Sequence, residues 1–314
     1  MSELIGYLLT IDAIITWGLA SLVYKSGLGR TEPKATLLFR LCCVTIFTGI
    51  ISLIFGNYQF FLKVNETELI IYLISCLISG LSVTIGDLLY FVSLKRIDAS
   101  RAYPLTQLSL IFVYPFAFIF FGEELTISIL IGGLLILSSV FLLSKKDTNN
   151  KENITEKNEL NISEKESNIF IGVACAIGTA FFWAIAIISF YQARIISGDV
   201  FVTNFMRLFP AAILIAILGL FKRDYYSGFK KDNRENLKYY GYIGIAGSLS
   251  LGLADSLFFE AAAINGLVVT STFTANTPMI QQIFSILILK EKFRKRFLIA
   301  VFLIIIGNYI ILFL

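Results

Sequence analysis

Long apolar segments alternate with short polar connections along almost the whole chain. A helix that crosses the hydrocarbon core of a bilayer needs about 20 mostly apolar residues, and ten segments of this sequence are that long and that apolar. The pattern therefore predicts ten membrane-spanning helices, called spans 1 to 10. Their predicted ranges are 4–24, 34–55, 69–94, 99–121, 126–143, 168–193, 200–221, 239–263, 266–289 and 297–313.

Residues 144–167 form the one long polar connection. This stretch is rich in Lys, Glu and Asn and has no apolar periodicity, a composition typical of a flexible charged linker. It divides the chain into residues 1–143, with five spans, and residues 168–314, with five more. We predict an all-α membrane protein made of two five-helix domains that this linker joins.

The composition agrees with a bilayer environment and excludes several classes of protein. Hydrophobic residues make up 57% of the 314 residues and charged ones 15%, whereas soluble domains carry about 25% charged residues. The net charge of +4 is spread over short loops, unlike the basic patch of a nucleic-acid-binding protein. The sequence has no histidine, P-loop or dinucleotide motif, so we expect no enzymatic activity, no metal and no cofactor.

The two halves repeat each other in sequence, and pairs of similar residues recur at a nearly constant spacing. At 168 residues, Asp87 meets Asp255, Thr106 meets Thr274, Ser109 meets Thr277 and Glu123 meets Glu291, while Trp17 meets Trp183 at 166 and Arg40 meets Arg207 at 167. Because each half has an odd number of spans, the second half enters the membrane from the opposite side. Inverted repeats of this kind are typical of secondary transporters.

Lysine and arginine are distributed unequally between the two predicted membrane faces. Nearly all of the 26 basic residues fall on the face that holds the linker, whereas only Lys63 and Arg194 fall on the face that holds both termini. Cytoplasmic loops are enriched in Lys and Arg. We therefore predict a multi-pass protein of the cytoplasmic (plasma) membrane, with a cytoplasmic linker and extracytoplasmic termini.

Four charged residues lie deep inside predicted spans, where charge is costly and usually functional. At a helical rise of about 1.5 Å per residue, Arg40 and Asp87 lie roughly 9–12 Å below the linker face, and Arg207 and Asp255 lie at similar depths below the other face. The repeat thus predicts two Arg–Asp layers, one near each mouth, which act as alternating gates or coupling sites. Static salt bridges, or arginines that extend to the nearest interface, are the alternative interpretations.

Hydroxyl and amide side chains recur on one helical face in spans 4 and 9, and prolines (Pro104, Pro115 and Pro278) interrupt both spans. A polar stripe beside prolines is typical of a transporter cavity; Ser and Thr that bond neighbouring helices in a packed bundle are the alternative. Aromatic residues would complete walls suited to an amphipathic or cationic solute. The predicted cavity residues are Trp17, Tyr90, Tyr103, Thr106, Ser109, Trp183, Thr270, Thr274, Thr277 and Gln281.

Two stretches carry a resemblance to a known family. Residues 101–143 and 265–314 each contain a proline-bearing span that ends in a glutamate, Glu123 or Glu291, followed by an apolar span. Together with Arg40 in span 2, they make the whole chain similar to the ten-helix, EamA-like branch of the drug/metabolite transporter superfamily. The resemblance implies secondary transport of a small organic solute, such as an amino acid, a metabolite, a nucleotide sugar or a drug.

The residues and the resemblance lead to one interpretation. We expect a secondary transporter that moves a small amphipathic metabolite, such as an amino acid, by alternating access, with proton-coupled export as one form of it. A flippase for lipid-linked sugars and a passive channel for small solutes are the alternatives. The expected partners are the solute and the lipid bilayer, not nucleic acid, and the sequence leaves both a monomer and a homodimer open.

Overall fold

The computed structural model describes residues 2–144, 159–229, 236–289 and 295–313, and every regular element in these ranges is helical. The first half contains α1 (Ser2–Leu28), α2 (Pro33–Phe55), α3 (Phe60–Lys63), α4 (Glu66–Arg96), α5 (Ala99–Thr106), α6 (Ser109–Phe121) and α7 (Ile127–Ser144). The second contains α8 (Glu159–Ser197), α9 (Val200–Phe221), α10 (Leu237–Gly247), α11 (Asp255–Asn265), α12 (Leu267–Thr274), α13 (Thr277–Leu289) and α14 (Lys295–Phe313). A 3₁₀ segment (Arg223–Phe229) follows α9, and a π-helical segment (Ser248–Ala254) joins α10 to α11.

These helices correspond to the predicted spans. Seven stretches of the described chain are long and apolar enough to cross a membrane, and shorter apolar helices cover Ile127–Leu142 and Phe297–Phe313. The remaining span consists of the short helices α12 and α13. Large apolar side chains on the outer surface, such as Leu53 and Phe221, are 78% and 84% exposed, as expected for a surface that faces lipid. The prediction of an all-α membrane protein is confirmed.

Local sequence sets where several helices begin and end. Asn65 accepts the N–H of Glu68 at 2.8 Å at the start of α4, and Asp199 accepts the N–H of Val202 at 2.8 Å at the start of α9. These side chains satisfy N–H groups that the first helical turn leaves without a backbone partner. Gly122 ends α6 in the left-handed conformation, which glycine adopts at little cost. Polar caps therefore delimit these spans, in addition to apolar length.

Helix α8 starts earlier than predicted. It begins at Glu159, inside the range predicted as linker, and continues to Ser197. At about 1.5 Å per residue it is roughly 58 Å long, longer than a hydrocarbon core of about 30 Å, so its polar start extends beyond the membrane. Residues 145–158, which make up most of the predicted linker, lie outside the described residues.

The two halves interlock along their lengths. Helix α4 packs against α8, α2 packs against α9, and α1 packs against α10 and α11, so each of these contacts joins one half to the other. The last helices of the halves, α7 and α14, pack against each other. The interface between the halves therefore runs through the bundle, and a site there takes residues from both repeats.

Two glycines allow the halves to approach closely at equivalent places. A Cβ atom on Gly80 would lie 1.9 Å from the backbone oxygen of Arg207, and one on Gly247 would lie 2.5 Å from Cγ of Arg40. Small residues let membrane helices approach in this way. Both the glycines and the arginines are 167 residues apart, so the repeat relates the two contacts.

The π-helical segment Ser248–Ala254 absorbs a one-residue difference between the halves. The repeat spacing is 167 at the two glycines and 168 at Asp87 and Asp255. In the π-helical segment, the N–H of Asp255 donates to the carbonyl of Ser250, five residues earlier. A π-helical turn closes over one residue more than an α-helical turn, so the insertion leaves Asp255 in a position equivalent to that of Asp87.

Glu123, at the end of α6, connects the two halves. Its carboxylate oxygens accept the N–H groups of Leu267 and Val268, each at 2.7 Å, at the start of α12. Gly266 precedes them with a φ of 86°, a conformation that favours glycine. Free N–H groups and the positive end of the helix dipole stabilise a carboxylate at this place. Glu123 thus caps a helix of the opposite repeat, and its repeat mate Glu291 lies outside the described residues.

Replacing Glu123 by glutamine should destabilise the fold by about 1–2 kcal/mol, since an amide presents one acceptor oxygen and no charge to the two N–H groups. A lower midpoint of thermal unfolding in detergent would confirm this. Glu124→Gln is the matched control, because the neighbouring Glu124 is exposed. Equal midpoints for the two variants would contradict the capping role.

Candidate functional site

A cavity of about 120 Å³ lies between the two halves. Because about 10–15 Å³ of such a cavity is enough to hold one water molecule, the space can hold several water molecules or a small organic solute. All four predicted gating residues line it, namely Arg40, Asp87, Arg207 and Asp255. Seven of the ten predicted cavity residues also line it, namely Trp17, Tyr90, Tyr103, Ser109, Trp183, Thr274 and Thr277.

Arg40 and Asp87 form a buried ion pair on the cavity wall. Arg40 Nη1 lies 2.5 Å from Asp87 Oδ2, and the two side chains are 6% and 5% exposed. Trp183, from the other half, donates its indole N–H to Asp87 Oδ1 at 3.2 Å. The guanidinium also lies 4.9 Å from the ring centre of Tyr24 and 5.4 Å from that of Phe91, within the range of cation–π attraction. Pairing and hydrogen bonding thus offset the cost of burying both charges.

Arg207 and Asp255 repeat this arrangement. Arg207 Nη2 lies 2.5 Å from Asp255 Oδ2, and Trp17, from the first half, donates its indole N–H to Asp255 Oδ1 at 3.1 Å. The guanidinium lies 4.4 Å from the ring centre of Phe190 and 5.7 Å from that of Phe259. Each aspartate therefore binds an arginine of its own half and a tryptophan of the other half. The repeat in the sequence is also a repeat of side-chain contacts.

The structure places both pairs at one cavity, which their predicted depths allow. The sequence placed them in separate layers, one near each mouth, but both pairs lie on the wall of one cavity. In a core about 30 Å thick, groups roughly 9–12 Å below opposite faces differ in depth by only about 6–12 Å. The long side chains of arginine and tryptophan cover that distance. The geometry therefore favours one shared site over two separated gates.

Spans 4 and 9 are broken at equivalent positions, 107–108 between α5 and α6 and 275–276 between α12 and α13. The hydroxyls of Thr106 and Thr274 each donate to the backbone carbonyl three residues earlier, at 2.7 Å. Side-chain hydroxyls can replace backbone donors where a membrane helix is interrupted. Two of the predicted cavity threonines thus stabilise the breaks.

The polar stripe is not a single continuous helical face. Thr274 and Thr277, on either side of the break in span 9, line the cavity. Thr106, Thr270 and Gln281 are buried but are not among the lining residues. The periodicity assumed a regular helix across positions 275–276, and the break removes the two ends of the stripe from the cavity wall.

The prolines affect these spans unequally. Pro278 lacks the N–H that would bond the carbonyl of Thr274, and the hydroxyl of Thr277 donates to that carbonyl at 2.5 Å. Pro104 lies inside α5, close to its end. Pro115 lies inside α6, which continues to Phe121, so the prediction that it interrupts span 4 was wrong. A proline removes only one backbone donor, and membrane helices tolerate that loss where neighbouring groups compensate.

Other cavity residues carried little signal in the sequence. Ser21, Tyr24, Gln107, Ser250, Phe258 and Phe259 line the cavity but were not predicted. The hydroxyls of Tyr24 and Ser250 lie 2.5 Å apart, a contact between the two halves. Ser250 belongs to the π-helical segment, for which the only sequence signal is the one-residue change in repeat spacing. Phe258 could have been found as the repeat mate of the predicted Tyr90.

The cavity offers ion pairs, indole N–H groups, hydroxyls and aromatic rings. Within the described residues, no group of three or more His, Cys, Asp or Glu side chains is placed to hold a metal ion. The two guanidinium groups and two carboxylates on the wall cancel in formal charge. Such a site can bind a small solute that has both polar and apolar parts and little net charge.

Long apolar helices in two interlocked halves, with a cavity at their interface, define a multi-pass membrane protein. The chain belongs to the EamA-like transporter family, whose model matches residues 4–145 and 170–313, one match in each half. The predicted family resemblance is thereby confirmed, and with it the fold of ten transmembrane helices in two inverted five-helix repeats.

Two known proteins are similar to this chain over almost their whole length. A protein of Archaeoglobus fulgidus described as an uncharacterized transporter is 24% identical over 307 residues, which cover 97% of this chain and 97% of that protein. A solved structure described as "Crystal structure of protein" has a TM-score of 0.68 at 15% identity, covering 98% of this chain and 95% of that chain. The structural likeness shows the fold alone. The family and the relative indicate a transporter of the drug/metabolite type, a class that is usually not enzymatic.

Proposed function

We propose that this protein is a secondary transporter of a small amphipathic metabolite, such as an amino acid, in the cytoplasmic membrane. The observation that carries the proposal is the cavity wall, to which each half contributes one Arg–Asp pair and one tryptophan. A site shared equally by two inverted repeats can face either side of the membrane when the halves shift relative to each other. Alternating access is the mechanism that this symmetry supports.

The charges on the wall favour a solute of low net charge. Arg40 and Arg207 are each neutralised by an aspartate, so an uncharged or zwitterionic molecule adds no net charge to the buried site. Asp87 and Asp255 are the carboxylates of the wall that can bind a proton during the cycle. The proposed mode of transport is proton-coupled export. In the proposed orientation, the linker is cytoplasmic and both termini are extracytoplasmic.

A solute screen followed by a flux measurement tests this function. Small metabolites that raise the unfolding midpoint of the purified full-length protein are selected, and their flux into proteoliposomes is measured at two pH values. Saturable flux that follows an imposed pH gradient is the expected result. Linear, non-saturable flux would identify a passive channel, and activity restricted to lipid-linked sugars would identify a flippase. Either outcome, or no flux of any small metabolite, would overturn the proposal.

A further inference from the structure

The two aspartates of the cavity wall are not equally open. The Asp255 side chain is 14% exposed, whereas the Asp87 side chain is 5% exposed. Their partners are both buried, Arg207 at 1% and Arg40 at 6%. Of the four charged side chains on the wall, that of Asp255 is therefore the one that a solute in the cavity reaches most readily.

The tryptophan that donates to Asp255 is shared with a second acceptor. The indole N–H of Trp17 points to Asp255 Oδ1 at 3.1 Å and to the backbone oxygen of Ser250 at 3.2 Å. Among the described residues, the equivalent N–H of Trp183 donates to Asp87 alone, at 3.2 Å. An N–H that is divided between two acceptors forms a weaker bond with each. The carboxylate of Asp255 is thus less completely satisfied than that of Asp87.

The second acceptor belongs to the π-helical segment Ser248–Ala254. The carbonyl of Ser250 also accepts the backbone N–H of Asp255. The first half has a regular α-helix at the equivalent place, since α4 runs from Glu66 to Arg96. π-helical turns within longer helices frequently occur at functional sites. The two halves therefore differ where Asp255 meets the cavity.

Arg207 is held from the side away from Asp255. Its Nε donates to Asn204 Oδ1 at 2.9 Å, and the amide of Asn204 donates to the carbonyls of Leu251 and Gly252 at 3.1 and 2.8 Å. The two oxygens of a carboxylate offer about four lone-pair sites, of which Arg207 and the shared indole N–H use two. Arg207 can therefore keep Asp255 in place while the carboxylate accepts further hydrogen bonds from the cavity.

We propose that the Asp255 carboxylate forms the subsite for a primary ammonium group of the solute, beside the ring of Trp17. This inference rests on the proposed function and specifies the solute class as primary amines, amino acids included. A primary ammonium has three N–H donors and no acceptor, and its hydrogen bonds to a carboxylate are strong. The ring centres of Trp17 and Phe258 lie 5.5 Å apart on the same wall, and aromatic faces attract cations.

Two pairs of probes test the subsite. Leucine is compared with 2-hydroxy-4-methylpentanoate, and leucinol with 4-methylpentane-1,2-diol, so that in each pair a hydroxyl replaces the ammonium group. Binding is measured at neutral pH by thermal shift of the purified full-length protein and by competition for flux. The wild type should bind the ammonium member of each pair about tenfold or more tightly, the effect of a hydrogen bond to a charged group. The second pair contains no carboxylate, so a preference shared by both pairs does not arise from exclusion of an anion.

The double variant Arg207→Met, Asp255→Asn removes the carboxylate and leaves no unpaired charge in its place. It should lose the preference for the ammonium member of both pairs. The matched control is Arg40→Met, Asp87→Asn, which removes the equivalent pair of the first half. This control should weaken binding of all four probes and keep the preference for ammonium.

Trp17→Phe tests the subsite in the opposite direction and leaves both ion pairs intact. It removes the indole N–H that competes for Asp255 Oδ1 and keeps an aromatic ring at that place. The preference for ammonium should rise about two- to tenfold, the net contribution of one hydrogen bond. Trp183→Phe is the control, because the indole N–H of Trp183 serves Asp87, and it should change the binding of all four probes alike.

Three results would overturn the subsite while leaving the proposed function intact. They are equal binding within either pair by the wild type, a preference for ammonium that persists in Arg207→Met, Asp255→Asn, and a preference in Trp17→Phe no greater than that of the wild type. If the double variant does not fold, the wild-type and Trp17→Phe measurements decide. Absence of binding and flux for these probes and for all other screened metabolites would overturn the proposed function as well.

Discussion

Replacing Asp87 by asparagine should cost about 3–5 kcal/mol of stability, because Arg40 then stays buried without its carboxylate. Replacing both partners, Arg40→Met with Asp87→Asn, should recover most of that loss, since no unpaired charge remains. Solute flux should fall about tenfold or more in both variants, the effect of losing at least ~1.4 kcal/mol of solute binding. Unfolding midpoints and flux in proteoliposomes, measured on the same preparations, check both expectations.

A second ion pair serves as the control for Asp87→Asn. Arg194 and Glu260 are 2.7 Å apart, and the Glu260 side chain is 39% exposed, so this pair contributes less than about 1 kcal/mol. Glu260 is not a lining residue of the cavity, and Glu260→Gln should retain flux. Full flux in the Arg40→Met, Asp87→Asn double variant would mean that the buried pair is a static salt bridge.

Replacing Gly80 by alanine should prevent normal packing of the two halves. The added Cβ would lie 1.9 Å from the backbone oxygen of Arg207, and backbone cannot move aside as a side chain does. Helices α4 and α9 would have to separate, at a cost of about 1–3 kcal/mol or more, and the Arg207 side of the cavity would shift with them. Size-exclusion chromatography in detergent should show little monodisperse protein, and any folded fraction should have a lowered unfolding midpoint.

Gly241→Ala is the matched substitution. Among the described residues, no atom outside the local helix backbone lies within 4 Å of the position that its Cβ would occupy. Alanine also favours a helix over glycine by about 1 kcal/mol. This variant should equal or exceed the wild type in stability. A Gly80→Ala protein as stable as Gly241→Ala would contradict the close approach of α4 to α9.

The spans and the repeat were predictable because they depend on properties that a sequence records directly. Apolar length located the spans, and a spacing near 167 residues related the first half to the second. Buried charge at matched positions then identified Arg40, Asp87, Arg207 and Asp255 as a set. The similar depths of Arg40 and Asp87 below one face, and of Arg207 and Asp255 below the other, predicted the pairing of each arginine with the aspartate of its own half.

The contacts between the halves were not predictable from one sequence. The bond from Trp17 to Asp255 and the cap that Glu123 provides to α12 join residues far apart in the chain, and no local pattern encodes which distant group is the partner. Pro278 predicted an interruption of span 9, and the break lies at positions 275–276. The polar stripe was nevertheless counted with the periodicity of an unbroken helix. The only sequence signal for the π-helical segment was the change in the spacing between equivalent residues of the two halves, from 167 to 168.

Entrance counterflow in proteoliposomes is the most direct measurement of whether the shared cavity alternates between the two faces. Vesicles are loaded with unlabelled solute from the thermal-shift screen and diluted into labelled solute. A carrier whose single cavity exchanges one solute for another should accumulate labelled solute transiently above its equilibrium level. Measurable flux of the same solute without such an overshoot would contradict alternating access through the cavity between the two halves.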